Sequence, residues 1–416
     1  MGVLISPEIR RLSEQALQDV EPAFRALEST ARLNTEKVLA AFQKHRVSDA
    51  CFSGTTGYGY NDKGRDTLDL IYADVFGAES ALVRTGFVNG THAITAALFG
   101  ALKTGDILLS ATGAPYDTLR SAIGIEGGYR GSLKDYGIGY AQTDLKANGT
   151  PDYEAVARDA RDRRVAAVLI QRSRGYSTRP ALTVSEIGKL CEIVRGVNDR
   201  AAVIVDNCYG EFTQEREPTE VGADLIAGSL IKNPGGGLAP TGGYVAGKKD
   251  LVEAAAYRLT SPGIGGECGA SPGGSRLLYQ GFFMAPHTVA EALKTAVFCA
   301  RLLELMGFKT SPSWDESRSD IIQMVELNSP ELLKRFCMGI QAGAPVDSYV
   351  RPEPWDMPGY GCPVIMAAGT FVQGASIELS CDGPMREPYC AYLQGALTFE
   401  AGRLGVITAA DQLYYK

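Results

Sequence analysis

The sequence predicts an α/β protein with a large domain on a mainly parallel, mixed sheet and a smaller C-terminal α+β domain. Three observations carry this. Between about residues 50 and 285, short apolar runs alternate with amphipathic helical stretches, the pattern of strands joined by crossover helices. Glycines cluster at 54–64, 124–131, 235–243 and 263–274, beside the ends of those runs, where loops can approach a ligand closely. From about residue 286 the alternation stops. The predicted organisation is a helical arm (1–48), the large domain (49–285), and a bridging helix with the small domain (286–416).

The arm comes first. Ser6-Pro7 reads as an N-cap with proline at the first helical position. Ile9, Leu12, Ala16, Val20, Phe24 and Leu27 then recur at steps of three and four. Pro22 is expected to kink or divide the run, and Asn34 to cap a second helix. Periodicity leaves open whether this arm packs on its own core or on a partner subunit. Strands are expected at 81–84, 107–110, 165–171, 202–206, 225–229 and 243–246, with helices at 91–102, 153–161 and 184–194. A long helix over 288–305 follows, then strand-like runs at 321–327 and 375–380 around a helix at 330–341.

Composition narrows the function classes. The 416-residue chain has a net charge of −7 and no basic run, which argues against a nucleic-acid partner. It has no apolar run long enough to span a membrane. Its nine cysteines are scattered without a C-x-x-C pair, as expected of reduced thiols in the cytoplasm. The three histidines are not spaced as metal ligands, so no metal is expected. Residues 1–6 fit a loose myristoylation pattern, one short enough to be read as an ordinary N-terminus.

The chemistry concentrates between Val203 and Val245. Val203-Ile204-Val205 lead into Asp206, which places a carboxylate at the C-terminal end of a buried strand, the ligand edge of a parallel sheet. About one strand-helix-strand step later, Ser229-Leu230-Ile231-Lys232 ends a second strand ahead of Gly235-Gly236-Gly237. A lysine that forms a Schiff base and an acid that keeps a pyridine nitrogen protonated are the two groups that pyridoxal-5′-phosphate chemistry needs. Lys232 and Asp206 suit those roles, and the Ser229 hydroxyl suits the cofactor phosphate. Gly90-Thr91 open a helix whose N-terminal amides can bind the same phosphate. Tyr116 follows a strand, where its ring could stack on the pyridine. Taken singly, each residue also has an ordinary structural reading. No P-loop, dinucleotide fingerprint or Gly-x-Ser-x-Gly hydrolase elbow is present.

These residues resemble the fold-type-I enzymes of the cystathionine lyase and methionine γ-lyase superfamily. More closely, the chain is similar to a branch labelled methionine γ-lyase or aluminium resistance protein. The branch-like stretches are 57–66, 171–176 and 379–386. The resemblance implies that Tyr116 stacks on the ring and serves in proton transfer. It also implies that a neighbouring subunit lends Tyr58, Tyr60 and Arg65, of which Tyr60 is a catalytic candidate, so that a dimer or a homotetramer shares its sites. One departure stands out. The wider family places a carboxylate-binding arginine before a Leu-Ser, whereas Glu378 precedes Leu379-Ser380 here. Arg386, Arg174 and Arg172 are then the candidates for holding a substrate carboxylate. The expected function is a PLP-dependent carbon–heteroatom lyase, performing γ- or β-elimination on a small methionine- or cystathionine-like amino acid. The alternatives are aldol cleavage or transamination on the same scaffold, or a non-catalytic stress-response protein that keeps the fold.

Overall fold

A computed structural model describes residues 5–357 and 360–414. Residues 1–4 of the myristoylation-like pattern lie outside them. Helix α1 (Pro7–Lys44) starts as its sequence dictates, with the Ser6 hydroxyl accepting from the Ile9 amide at 3.4 Å. Pro22 neither divides nor ends it. Pro22 is exposed, so the hydrogen bond it forfeits lies on the solvent side, while the opposite face stays packed. Asn34 is likewise not a cap. It is buried within the helix, and its Nδ2 donates to the carbonyls of Phe212 (3.2 Å) and Gln214 (3.0 Å). The arm is therefore fastened to the chain's own large domain, in part by that amide. Helix α2 (Lys63–Val75) follows, capped by the Asp62 carboxylate, which accepts from the Arg65 amide.

The large sheet contains β1 (Ser80–Arg84), β2 (Ile107–Ser110), β3 (Gly139–Gln142), β4 (Val165–Gln171), β5 (Ala202–Asp206), β6 (Leu225–Ser229) and β7 (Gly243–Gly247). Their order is β1-β7-β6-β5-β4-β2-β3, with β7 antiparallel to both neighbours and the others parallel. Its helices are α3 (Gly90–Ala101), α4 (Asp117–Ile123), α5 (Tyr153–Asp159), α6 (Val184–Val197) and α7 (Lys249–Leu259). The central strands are apolar on both faces because helices cover both sides, so they stand out in the sequence. Strand β3 gives no such signal: it is an edge strand, exposed or half-buried along its length.

Helix α8 (Arg276–Leu305) begins well before the predicted 288 and carries Pro286 inside it. Its first half packs Leu278, Tyr279, Phe282 and Val289 into the large-domain core. Its second half packs Phe298, Cys299, Leu302 and Leu303 into the small-domain core. The predicted boundary at 285/286 thus falls within one continuous helix. The small domain holds β8 (Lys309–Ser311), β9 (Gln323–Glu326), α9 (Pro330–Ala342), β10 (Val364–Ala368), β11 (Ser380–Pro384), β12 (Cys390–Gln394) and α10 (Phe399–Tyr414). Its sheet is antiparallel, in the order β10-β11-β12-β9-β8. The strand expected at 375–380 is instead a turn that leads into β11. Glu378 explains the difference: its buried carboxylate accepts from the Phe371 (2.8 Å) and Val372 (2.9 Å) amides and folds the chain back on itself. Among the described residues, no helix is long and apolar enough to cross a membrane.

Candidate active site

The parallel strands β4, β5 and β6 end side by side, and the loops leaving them carry the chemistry. Asp206 is the last residue of β5. Its Oδ1 accepts from the Cys208 amide at 3.1 Å. Burial raises its pKa, while Lys232, that amide and Arg179 pull it back. Lys232 sits in a tight turn after β6, where the Gly235 amide donates to its carbonyl at 3.1 Å. Asn233 locks this turn to the neighbouring loop by donating to the Glu211 carbonyl at 2.9 Å. Burial works against the Lys232 ammonium, but the surrounding acidic groups Cys208, Tyr209, Asp206 and Glu211 outweigh it and hold the lysine above its ordinary value. Lys232 Nζ lies 3.9 Å from the centroid of the Tyr209 ring.

Gly90 and Ser229 meet beside this pair. A methyl group at Gly90 would come within 3.1 Å of Cys208 Sγ and 3.2 Å of Ser229 Cβ, tight contacts that a larger residue could make only if those side chains shifted, so glycine suits the close approach of α3 to β6. The Asn89 cap accepts from the His92 amide, not from the first two amides of the helix. Among the described residues, the Gly90 and Thr91 amides have no acceptor. Amides free at a helix N-terminus form an anion site, and the Ser229 hydroxyl stands next to it. These residues fit a phosphorylated cofactor with an aldehyde and a ring nitrogen: an amine, a buried carboxyl and a phosphate cradle stand within one cluster.

Tyr116 caps the front of α4, and its amide donates to Gln171 Oε1 at 2.8 Å. Its hydroxyl meets that of Tyr360, and burial raises its pKa well above the phenol range. Beside it opens a cavity of about 450 Å³ whose lining includes Tyr116, Gln171, Arg174, Tyr176, Arg386 and Tyr392.

The three candidate arginines differ sharply. Arg172 is fully buried and does not face that cavity. Its guanidinium binds Asn207 (2.8 Å), Glu217 (3.3 Å), Thr213 (3.2 Å) and Gln214 (3.3 Å). It is a structural ion pair, contrary to its expected role on substrate. Arg386 is exposed at the rim and donates to the Tyr176 carbonyl. Arg174 is buried, with Nη1 fixed on the Ser311 carbonyl (2.9 Å) and hydroxyl (3.1 Å). Its Nε and Nη2 are buried without a partner among the described residues. That pair is the guanidinium edge that binds a carboxylate bidentately.

The residues expected from a neighbouring subunit also divide. Tyr58 and Tyr60 are 74% and 60% exposed and stack on each other at 5.7 Å. Arg65 is not available to a second chain. It is buried, and it donates to the carbonyls of Gly59, Gly269 and Glu267 and to Asp66, which braces its own loop against the 267–269 segment.

Four residues here were not singled out from the sequence. Tyr209 has a left-handed backbone (φ 71°), and its hydroxyl reaches Ser376 Oγ at 3.1 Å. Burial pushes Glu211 up to about 8, and its Oε1 accepts from the Tyr244 hydroxyl at 2.8 Å. Gly228 leaves the space for both groups: a methyl there would fall 2.6 Å from Glu211 Oε1. Asp382 and Tyr360 come from the small domain, and only the tertiary fold brings them near Tyr116.

A family model described as methionine gamma-lyase matches residues 9–414. The chain belongs to the methionine gamma-lyase family. The uncharacterized protein YnbB of Bacillus subtilis is 52% identical to this family member over 409 residues, 98% of this chain and 97% of YnbB. A solved structure described as a carbon-sulfur lyase involved in aluminum resistance, from Clostridium novyi, is 52% identical with a TM-score of 0.95. That match covers 98% of this chain and 96% of the other. The pyridoxal-5′-phosphate-dependent protein YhfS of Escherichia coli is 19% identical at a TM-score of 0.62, over 91% and 94% of the two chains. The last likeness is one of fold, and the fold is that of fold-type-I enzymes.

Proposed function

We propose that this methionine gamma-lyase family member is a PLP-dependent carbon–sulfur lyase acting on a small amino acid. The observation that carries the reading is the convergence of Lys232, Asp206 and the acceptor-free Gly90-Thr91 amides at one edge of the sheet. Lys232 would hold the cofactor, Asp206 its ring nitrogen, and Ser229 with Gly90-Thr91 its phosphate. When bound, pyridoxal phosphate supplies an electron sink that acidifies the substrate's Cα–H.

The chain's own residues then divide the work. Lys232 Nζ removes the Cα proton and, for a γ-leaving group, a proton at Cβ. The Tyr116 hydroxyl stays protonated in this buried setting and is suited to give its proton to the departing sulfur. Arg174 lines the cavity and keeps two buried guanidinium donors without a partner, which suits it to the α-carboxylate, a role that Glu378 cannot fill because it is an anion committed to two backbone amides. The exposed Tyr58–Tyr60 pair suits insertion into the site of a second copy, which makes the working unit a homodimer or a homotetramer. The reduced thiols suit the cytoplasm.

The test is a screen of L-methionine, L-cystathionine, L-cysteine and L-homocysteine for release of an α-keto acid and ammonia together with a thiol (from the first two) or sulfide (from the last two). Stoichiometric release of these products supports the reading. Glycine and an aldehyde from a β-hydroxy amino acid would replace it with aldol cleavage.

A further inference from the structure

Asp382 is a second buried carboxylate at this site, and none of the steps above uses it. It lies on β11, deep in the small-domain sheet, yet it faces the large-domain cluster. One oxygen, Oδ2, accepts from both the Tyr176 hydroxyl (2.8 Å) and Gln394 Nε2 (2.7 Å). The other, Oδ1, accepts nothing among the described residues and is not among the buried, unpartnered atoms, so it retains contact with open space. Two donors on one oxygen fix the carboxylate's direction and leave the second oxygen presented. Tyr176 packs against the rings of Tyr360 (5.6 Å) and Tyr392 (5.5 Å), and Tyr360 reaches Tyr116. An aromatic wall with an anion set in it is a site for a cation.

We propose that Asp382 Oδ1 receives the α-ammonium of the incoming amino acid while Arg174 receives its carboxylate, so that the two residues together recognise a zwitterion. The proposal rests on the reading of the cluster as an amino-acid site. A zwitterion needs both signs of charge at fixed places: Arg174 and Tyr176 line the cavity, and Asp382 stands behind Tyr176, fixed by its hydroxyl. The titratable groups that face Asp382 are Lys232 from the loop after β6, Tyr209 from the loop after β5, Tyr116 at α4, Tyr176 from the loop after β4 and Tyr360 ahead of β10, while its strand neighbour Cys381 points the other way, into the small-domain core. Burial pushes the carboxyl up to about 6, with Tyr176, Gln394 and Lys232 pulling it down. It is therefore ionised at neutral pH and neutral at pH 5.

The experiment is calorimetric titration of cofactor-loaded protein with glycine, which has no leaving group, at pH 8 and pH 5. Asp382→Asn is compared with wild type. The expected result is at least a tenfold higher Kd for D382N at pH 8 and a ratio that closes toward one at pH 5, where wild-type Asp382 is itself neutral. A ratio within twofold at pH 8, or one that does not change with pH, overturns the proposal. Asp382→Ser gives the same comparison if the asparagine variant does not fold. Visible absorbance of the wild-type protein with cofactor alone, read before glycine is added, tests the underlying PLP reading separately.

Discussion

The ammonium of Lys232 lies 3.9 Å above the centre of the Tyr209 ring, in a buried pocket that Asp206, Cys208 and Glu211 also face. The lysine is thereby held charged and directed while it has no other covalent partner. A contact of this kind is worth about 0.5–2 kcal/mol, more when desolvated. Replacing Tyr209 by leucine removes the ring and one of the groups that raise the lysine's pKa. The rate at which cofactor-free protein gains visible absorbance on adding pyridoxal phosphate should then respond at lower pH. A displacement of about 0.5 unit or more corresponds to a contact of ~0.7 kcal/mol. An unchanged pH profile would show that the ring does not tune the lysine.

Arg172 and Arg174, two residues apart, should fail in different ways. Arg172 pairs with Glu217 in the interior, and removing one partner of a buried pair costs about 3–5 kcal/mol. Arg172→Met should lower the denaturant midpoint strongly. Arg174→Met gives up only the Ser311 contacts, so it should lose less stability while raising KM for the amino acid about tenfold or more. Denaturant melts and steady-state kinetics on the two variants separate these effects. The reverse pattern would exchange the roles assigned to the two residues.

Glu211 makes stability depend on pH in the direction opposite to a paired carboxylate. Its folded-state pKa of about 8 lies above its ordinary 4.5 because burial disfavours the charge. The folded chain therefore holds that proton more tightly. The stability it contributes is full below about 4.5 and is lost as pH rises through 8, with a slope of about 1.4 kcal/mol per unit for one proton. Glu211→Gln has nothing to ionise there. Its midpoint should fall less than that of wild type between pH 5 and 8, measured by denaturant titration across that range. Parallel curves would mean that Glu211 does not carry the proton.

Much of the large sheet was legible because its central strands are apolar on both faces and bounded by glycines. Asp206, Lys232, Ser229 and Gly90 could be found because strand ends and helix starts are local features, and they converge as their order along the chain suggested. What the sequence hid was mostly tertiary. Asp382 and Tyr360 reach the site from the small domain, far along the chain. Tyr209 turns toward Lys232 through a left-handed backbone that no glycine announces. Asn34 looked like a cap by type but serves as a buried tether. Arg172 and Arg174 are indistinguishable by residue type. One meets an internal glutamate and the other keeps a free edge, and only packing separates them. An acid within the apolar surroundings of β11 was the one local sign that Asp382 has a purpose.

The central claim is that Lys232 carries the cofactor. Incubating the protein with pyridoxal phosphate, reducing with borohydride and mapping the peptides by mass spectrometry tests it directly. The account predicts a phosphopyridoxyl group on Lys232, and neither that label nor visible absorbance in Lys232→Ala. Label on another lysine, or a Lys232→Ala protein that still absorbs and turns over, would contradict it.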